Sequence, residues 1–319
     1  MSFDKNRSSA LAMLEVTCTV VIWGATFVAT KIALQEVSPA TVVWLRFAMG
    51  VVVLGVAVLL RGEFEIPRPA DLGYFALLGF IGVALHQWLQ ANGLKTAQAT
   101  TTAWIVATIP VFVTLLGWLV LGERPSALQF MGMALAAAGV LLIVSKGDLA
   151  GLFRNGVGTE GDLLVLASAP NWAIYTVLSR RELQRHPAAR MMFYVMLAGW
   201  LFVTVWAMGF GPGLSEIGDL DLRGWAAVAG LGILGSGLAY ITYYDALQIL
   251  PASQLAVFLN VEPMVTTLLA APLLGEPITG LVLLGGVVIL AGIYLVNRPR
   301  APAAKVQGRA DDAESRASS

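Results

Sequence analysis

A chain of 319 residues that is 57% hydrophobic and only 13% charged cannot cover a soluble fold, which averages about 25% charged residues, so its surface must face lipid. Its 20 basic and 20 acidic residues cancel, which excludes the basic footprint of a nucleic-acid binder. A single cysteine, Cys18, and two histidines, His86 and His186, allow no disulfide framework and no thiolate or histidine metal constellation, so neither a metal nor a cofactor is expected.

The polar start MSFDKNRSS leads into an apolar run with no small-residue cleavage pattern behind it, which reads as a retained helix rather than a signal peptide. Runs of the length that crosses a bilayer, about 20 residues, then recur near 11–31, 40–60, 72–92, 99–121, 127–144, 161–179, 191–210, 225–246, 252–274 and 278–296. The spacing predicts ten transmembrane helices in an all-α integral membrane protein. Pro39, Pro125, Pro251 and Pro277 stand at or just before segment starts, where the missing N–H costs least. The connections are short and polar, and residues 298–319 lack apolar periodicity and read as a disordered tail. Lys and Arg, among them Arg61, Arg68, Arg124, Arg185 and Arg190, concentrate on the side of the chain ends, which predicts cytoplasmic termini.

The chain repeats itself. PVFVTLLGWLVLGE at 110–123 matches PMVTTLLAAPLLGE at 263–276, an offset of 153 that also pairs Gly132 with Gly285 and Gly139 with Gly292. Trp23-Gly24-Ala25 in the first helix corresponds to Trp172-Ala173-Ile174 in the sixth. Five spans per half force the second half to enter from the opposite side, so the repeats at 11–145 and 160–297, between tails at 1–10 and 298–319, are inverted. Inverted repeats support alternating access, with a central cavity between the halves.

The two L-G-E motifs, each followed by a glycine-rich helix, resemble the drug/metabolite transporter superfamily when taken with Trp23-Gly24 and an Arg in the run W-L-R-F. The resemblance is to its ten-helix EamA-type family and covers about residues 11–297. It implies secondary export of amino acids or similar metabolites, and it places a protein of this kind in the bacterial inner membrane. The partners expected are a small-molecule substrate and the bilayer, with the choice between monomer and homodimer open.

Ionisable residues inside a membrane cost about 2.5–3.5 kcal/mol on insertion scales and are functional candidates by default. Glu262 stands about ten residues, or about 15 Å, into the ninth helix, on a stripe with Gln254, Phe258 and Thr266. Pro263 follows it and frees a backbone carbonyl. A proton or cation site is the functional reading, and a bundle-holding Glu is the bland one. The twin position, Ile109, is apolar. Arg46 could clamp a substrate carboxylate, snorkel, or pair with Glu262. His86, with Gln87 and Gln90 beside it, could shuttle protons or simply pack. Trp23, Phe27, Trp104, Thr108, Trp172, Tyr240, Tyr244 and Phe258 complete the expected cavity wall. Glu123 and Glu276 are expected to cap the helices that follow them. Glu15 and Asp245 are explained by interfacial solvation.

Import and drug efflux by another branch of the superfamily stay open beside proton-driven export. An intramembrane enzyme would need a nucleophile with a base or metal ligands, and a channel a continuous polar pore. Neither pattern is present in the sequence.

Overall fold

The computed structural model describes residues 9–122, 125–148, 158–247, 249–250 and 252–298. Glu123, Pro251, the Gln254 side chain and most of the two expected tails lie outside them. Ten helical spans run back and forth. In the first half these are α1 (Ser9–Ala33), α2 (Pro39–Leu60), α3 (Pro69–Gly93), α4 (Ala99–Val106, then Ile109–Leu121) and α5 (Ala127–Val144). In the second half they are α6 (Glu160–Leu183), α7 (Ala188–Gly209), α8 (Leu222–Ala246), α9 (Ala252–Leu259, then Glu262–Leu274) and α10 (Gly280–Val296). Eight are long and apolar enough to cross a membrane. Of the other two, α10 is a shorter apolar helix and α6 carries Glu160 and Asp162 in its first turn. The near face is the side where α1 begins and α10 ends, and the far face is the opposite side.

The repeat is more complete in the backbone than in the letters. Both α3 and α8 widen into π-helical turns, at Phe80–Leu85 and Gly230–Leu238, which the offset of 153 superposes. Such turns release carbonyls from the helical ladder, and a side chain of the opposite half takes one in each case. Asn171 Nδ2 donates to Ile81 O at 2.8 Å, and Trp23 Nε1 donates to Gly235 O at 3.1 Å. Both α4 and α9 break just before Pro110 or Pro263 and end on a left-handed glycine, Gly122 or Gly275, each with φ 69°. Only a residue without Cβ adopts that backbone at no steric cost.

Packing between equivalent helices demonstrates the inversion. The contact of α5 with α10 is built on four glycines. A Cβ added to Gly132 would lie 2.6 Å from Gly292 O, and one added to Gly139 would lie 2.8 Å from Gly285 O. Partner numbers fall as the first set rises, so the equivalent helices run antiparallel, as inversion requires. Small residues here let the backbones meet. A Cβ at Gly292 would sit 2.6 Å from both Ala136 N and Gly132 O. Backbone cannot yield as a side chain can, so Gly292→Leu is expected to cost at least about 3 kcal/mol. Thermal unfolding in detergent should show a large fall in Tm or no folded protein; an unchanged Tm would refute the close approach.

Polar ties close the ends of the bundle. At the near face Arg61 donates to Asp245 through two nitrogens, at 2.9 and 2.7 Å. Asp245 is therefore an ion-pair partner rather than a merely solvated helix end. His186 Nε2 lies 3.3 Å from Glu182 and 3.8 Å from Asp71, where the start of α3 meets the end of α6, without a hydrogen bond to either. At the far face Glu216 accepts from Ser38 N at 2.7 Å and Thr41 Oγ1 at 2.8 Å, which fastens the start of α2 to the α7–α8 connection. Partial burial works against this carboxylate, but the bonds from Ser38 and Thr41 outweigh it and hold its pKa below the usual range. A depressed pKa contributes stability above the unfolded value, about 4.3, and loses it as pH falls through the folded value. Glu216→Gln should thus lower Tm at neutral pH by on the order of 1 °C, a difference that shrinks on acidification. A gap that persists at low pH would assign it to something other than the charge.

Candidate functional site

A cavity of about 180 Å³ lies where the halves meet. Its wall is drawn from α1 (Trp23, Thr26, Phe27), α2 (Arg46), α3 (His86, Gln87, Gln90), the break of α4, α6 (Trp172), α8 (Tyr240) and the break of α9 (Asn260, Glu262). The broken helices matter most, because each presents unwound backbone and a proline to the cavity at the same depth.

Arg46 is 8% exposed. Its Nε donates to Ser236 Oγ at 2.8 Å and its Nη1 to Gln87 Oε1 at 3.2 Å. Ser236 belongs to the π-helical stretch of α8 and Gln87 to α3, so the guanidinium is anchored between the halves. No carboxylate of the described residues comes within ion-pair distance of it. It neither snorkels to an end of α2 nor pairs with Glu262.

Glu262 opens the second segment of α9. Gly24 of α1 packs directly on its backbone, where an added Cβ would lie 2.8 Å from Glu262 O, and Thr266 Oγ1 donates to Gly24 O at 2.8 Å. Among the described residues no basic side chain is within ion-pair distance of the Glu262 carboxyl. The cavity thus holds one guanidinium and one carboxyl, neither with a counter-ion among the described residues.

His86 is buried, its ring 4.6 Å from that of Trp172, and its Nδ1 makes no hydrogen bond among the described residues. Trp23 stands against Tyr240 and Tyr243 at 5.5 and 5.2 Å. The polar groups break the repeat. The offset of 149 that pairs Trp23 with Trp172 pairs Arg46 with Val195, and the offset of 153 pairs Glu262 with Ile109 and His86 with Ala239. The scaffold does not need these charges, since its other half does without them.

Of the wall residues expected from the sequence, Trp23, Phe27, Arg46, His86, Gln90, Trp172, Tyr240 and Glu262 line this cavity. Four lie elsewhere. Trp104 is turned toward α9 and α10, where Nε1 donates to Thr267 Oγ1 at 3.2 Å and the ring covers Gly286. Thr108 folds back on its own helix, donating to Ile105 O at 2.6 Å. Tyr244 borders a separate small cavity with Arg61 and Asp245. Phe258 packs on the cluster of Ala12, Val16 and Val20 from α1. Thr26, Gln87, Asn260 and the anchor Ser236 were not singled out as wall residues from sequence. Gln87 and Asn260 carried a signal, as polar residues beside His86 and Glu262.

One end of the cavity is closed. On the far side every residue from Ala99 to Ile105 in α4 is buried, as are Pro263, Thr266, Thr267 and Ala270 of α9, and these two segments pack together. Their repeat equivalents on the near side differ. Pro110, Val113 and Thr114 are each partly exposed although Gly117 is buried, and of the four described side chains in 252–259 Leu255 is the buried one. Among the described residues the far end is the more tightly packed of the two and the near end the more open.

Comparison with known proteins agrees in architecture. A solved crystal structure of a protein 22% identical in sequence superposes with a TM-score of 0.64, covering 89% of this chain and 97% of that one. An "Uncharacterized transporter" of Archaeoglobus fulgidus is 30% identical over 89% of this chain and 96% of its own length. A "Probable terminal-alkyne amino-acid exporter" of Streptantibioticus cattleyicolor is 29% identical, over 90% and 93% respectively. A "Probable amino-acid metabolite efflux pump" of Salmonella typhimurium is 28% identical, over 86% and 91%. The family model described as the EamA-like transporter family matches twice, over residues 10–145 and 159–298. With one match for each five-helix half, the chain belongs to the EamA-like transporter family and is a multi-pass membrane transporter, not an enzyme.

Proposed function

We propose that this transporter exports an amino acid or a closely related small metabolite by alternating access, in exchange for protons. Arg46 receives the substrate carboxylate, Glu262 carries the proton with His86 as its neighbour in the cavity, and Trp23, Phe27, Trp172 and Tyr240 enclose the substrate body. The observation that carries this reading is a guanidinium and a carboxyl facing one cavity, neither with a counter-ion among the described residues. A buried guanidinium left unpaired is costly, and a substrate carboxylate offsets that cost through charge-assisted bonds. The exporter names carried by relatives in Streptantibioticus and Salmonella support the substrate class. With the chain ends in the cytoplasm of a bacterial inner membrane, the open face is the cytoplasmic one, and the cavity loads from inside.

The test is uptake of a labelled panel of amino acids and metabolites into everted membrane vesicles, with and without an inside-acid gradient. Gradient-dependent accumulation that requires this protein is the expected result. Accumulation indifferent to the gradient would overturn proton exchange, and accumulation only in right-side-out vesicles would reverse the direction.

A further inference from the structure

The second L-G-E motif ends in Glu276, whose side chain does not serve the helix that follows it. Thr279 caps α10 instead, accepting from Val282 N. Glu276 crosses to the other half of the molecule, where Oε1 accepts from Ala99 N at 2.6 Å and Oε2 from Thr100 N at 2.9 Å. These are the first N–H groups of α4, which have no partner within the helix, and the N-cap residue Gln98 makes no side-chain capping bond. The carboxylate is 8% exposed. Beside it Lys31 of α1 donates to Leu94 O and Ala97 O at the end of α3. Deeper on the same seam, Trp104 donates to Thr267.

All of these contacts lie on the far side, and those of Glu276 and Trp104 run along the seam between the first segment of α4 and the second segment of α9. Among the described residues the equivalent near-face segments, Ile109–Leu121 and Ala252–Leu259, show no comparable packing on one another. Opening the far face requires parting this seam, and the seam cannot part while Glu276 holds the start of α4. We propose that Glu276 is the latch of the far gate, setting the balance between far-closed and far-open states through its charge. A carboxylate at a helix N-terminus gains from charge-assisted bonds and from the helix dipole. Glutamine keeps the shape but has one acceptor oxygen and no charge, so Glu276→Gln should shift the balance toward the far-open state by about three- to tenfold. The same fold would be kept, with the distribution of states moved.

Thiol labelling reads this without any substrate, so its outcome is separate from that of the transport assay. Cys18 is replaced by serine, leaving a cysteine-free background. Ala103→Cys then reports the far side of the cavity and Asn260→Cys the near side, each probed with an impermeant maleimide from either side of oriented vesicles. The expected result for Glu276→Gln is faster labelling of Ala103→Cys from the far face, slower labelling of Asn260→Cys from the near face, and partial reversal by Glu276→Asp. Unchanged labelling with a lowered Tm would make Glu276 a static cap and overturn the proposal. If Glu276→Gln does not accumulate, Ala99→Pro decides. Proline is well tolerated at the first helical position and removes one latching N–H while leaving the carboxylate in place. It should produce the same change in sidedness, and unchanged labelling there would overturn the latch equally.

Discussion

Arg46→Lys should raise the KM for carboxylate-bearing substrates by about 10- to 100-fold while leaving transport of any uncharged analogue unchanged. The reason is geometric. Two of the guanidinium's nitrogens are occupied by Ser236 and Gln87, which fix the plane of the fork and leave its remaining N–H groups for the cavity. Lysine retains the charge but cannot span both anchors and still present a planar pair of donors. Hydrogen bonds to charged groups contribute about 1.5–3 kcal/mol each, and a tenfold change in affinity corresponds to about 1.4 kcal/mol, so loss of one such bond accounts for the range. Substrate counterflow in proteoliposomes measures it. An equal loss for charged and uncharged substrates, accompanied by a lower Tm, would assign Arg46 to the scaffold. The apolar twin Val195 argues against that outcome, since the corresponding crossing in the other half packs without a charge. Gly232 meets the backbone of Arg46 as Gly79 meets that of Val195.

Glu262→Gln should separate stability from coupling. Substrate exchange at equal pH should persist, whereas accumulation driven by a pH gradient should fall to the equilibrium level. The amide fills the same volume and cannot carry a proton through the cycle. Stability should stay the same or rise, because a carboxyl without a cationic partner inside the membrane is costly, by about 2.5–3.5 kcal/mol on insertion scales. Functional sites commonly hold such destabilising groups. Paired assays of counterflow and gradient-driven uptake, with Tm on the same preparation, give the answer. Gradient-driven accumulation that survives the substitution would move the proton site elsewhere, with His86 the next group to replace.

The sequence by itself determined the ten spans, the doubled motif and the inversion, because each follows from local rules. A bilayer sets a minimum length for an apolar run, an odd number of spans reverses direction, and glycines at 132, 139, 285 and 292 permit close helix approach wherever they occur. It also marked Arg46 and Glu262, since a charge inside an apolar run is conspicuous without any structure. The π-helical turns, by contrast, stand in stretches with no distinctive composition. Helices apolar all round have no polar face to give away their orientation, so the tryptophans could not be sorted in advance. Trp23 and Trp172 face the cavity, whereas Trp104, equally central in its helix, seals the seam with α9.

Tertiary structure alone decided the partner of Glu276, because the N–H groups it holds lie 177 and 176 residues away in the chain. It alone decided which face is closed. Residues 99–106 and 252–259 occupy equivalent places in the repeat, yet Ala99–Ile105 are all buried, whereas of the described side chains in 252–259 Leu255 is buried and Val257, Phe258 and Leu259 are not. If the chain alternates as proposed, one sequence must fit both states, and the identity of the closed face then belongs to the conformation rather than to either segment.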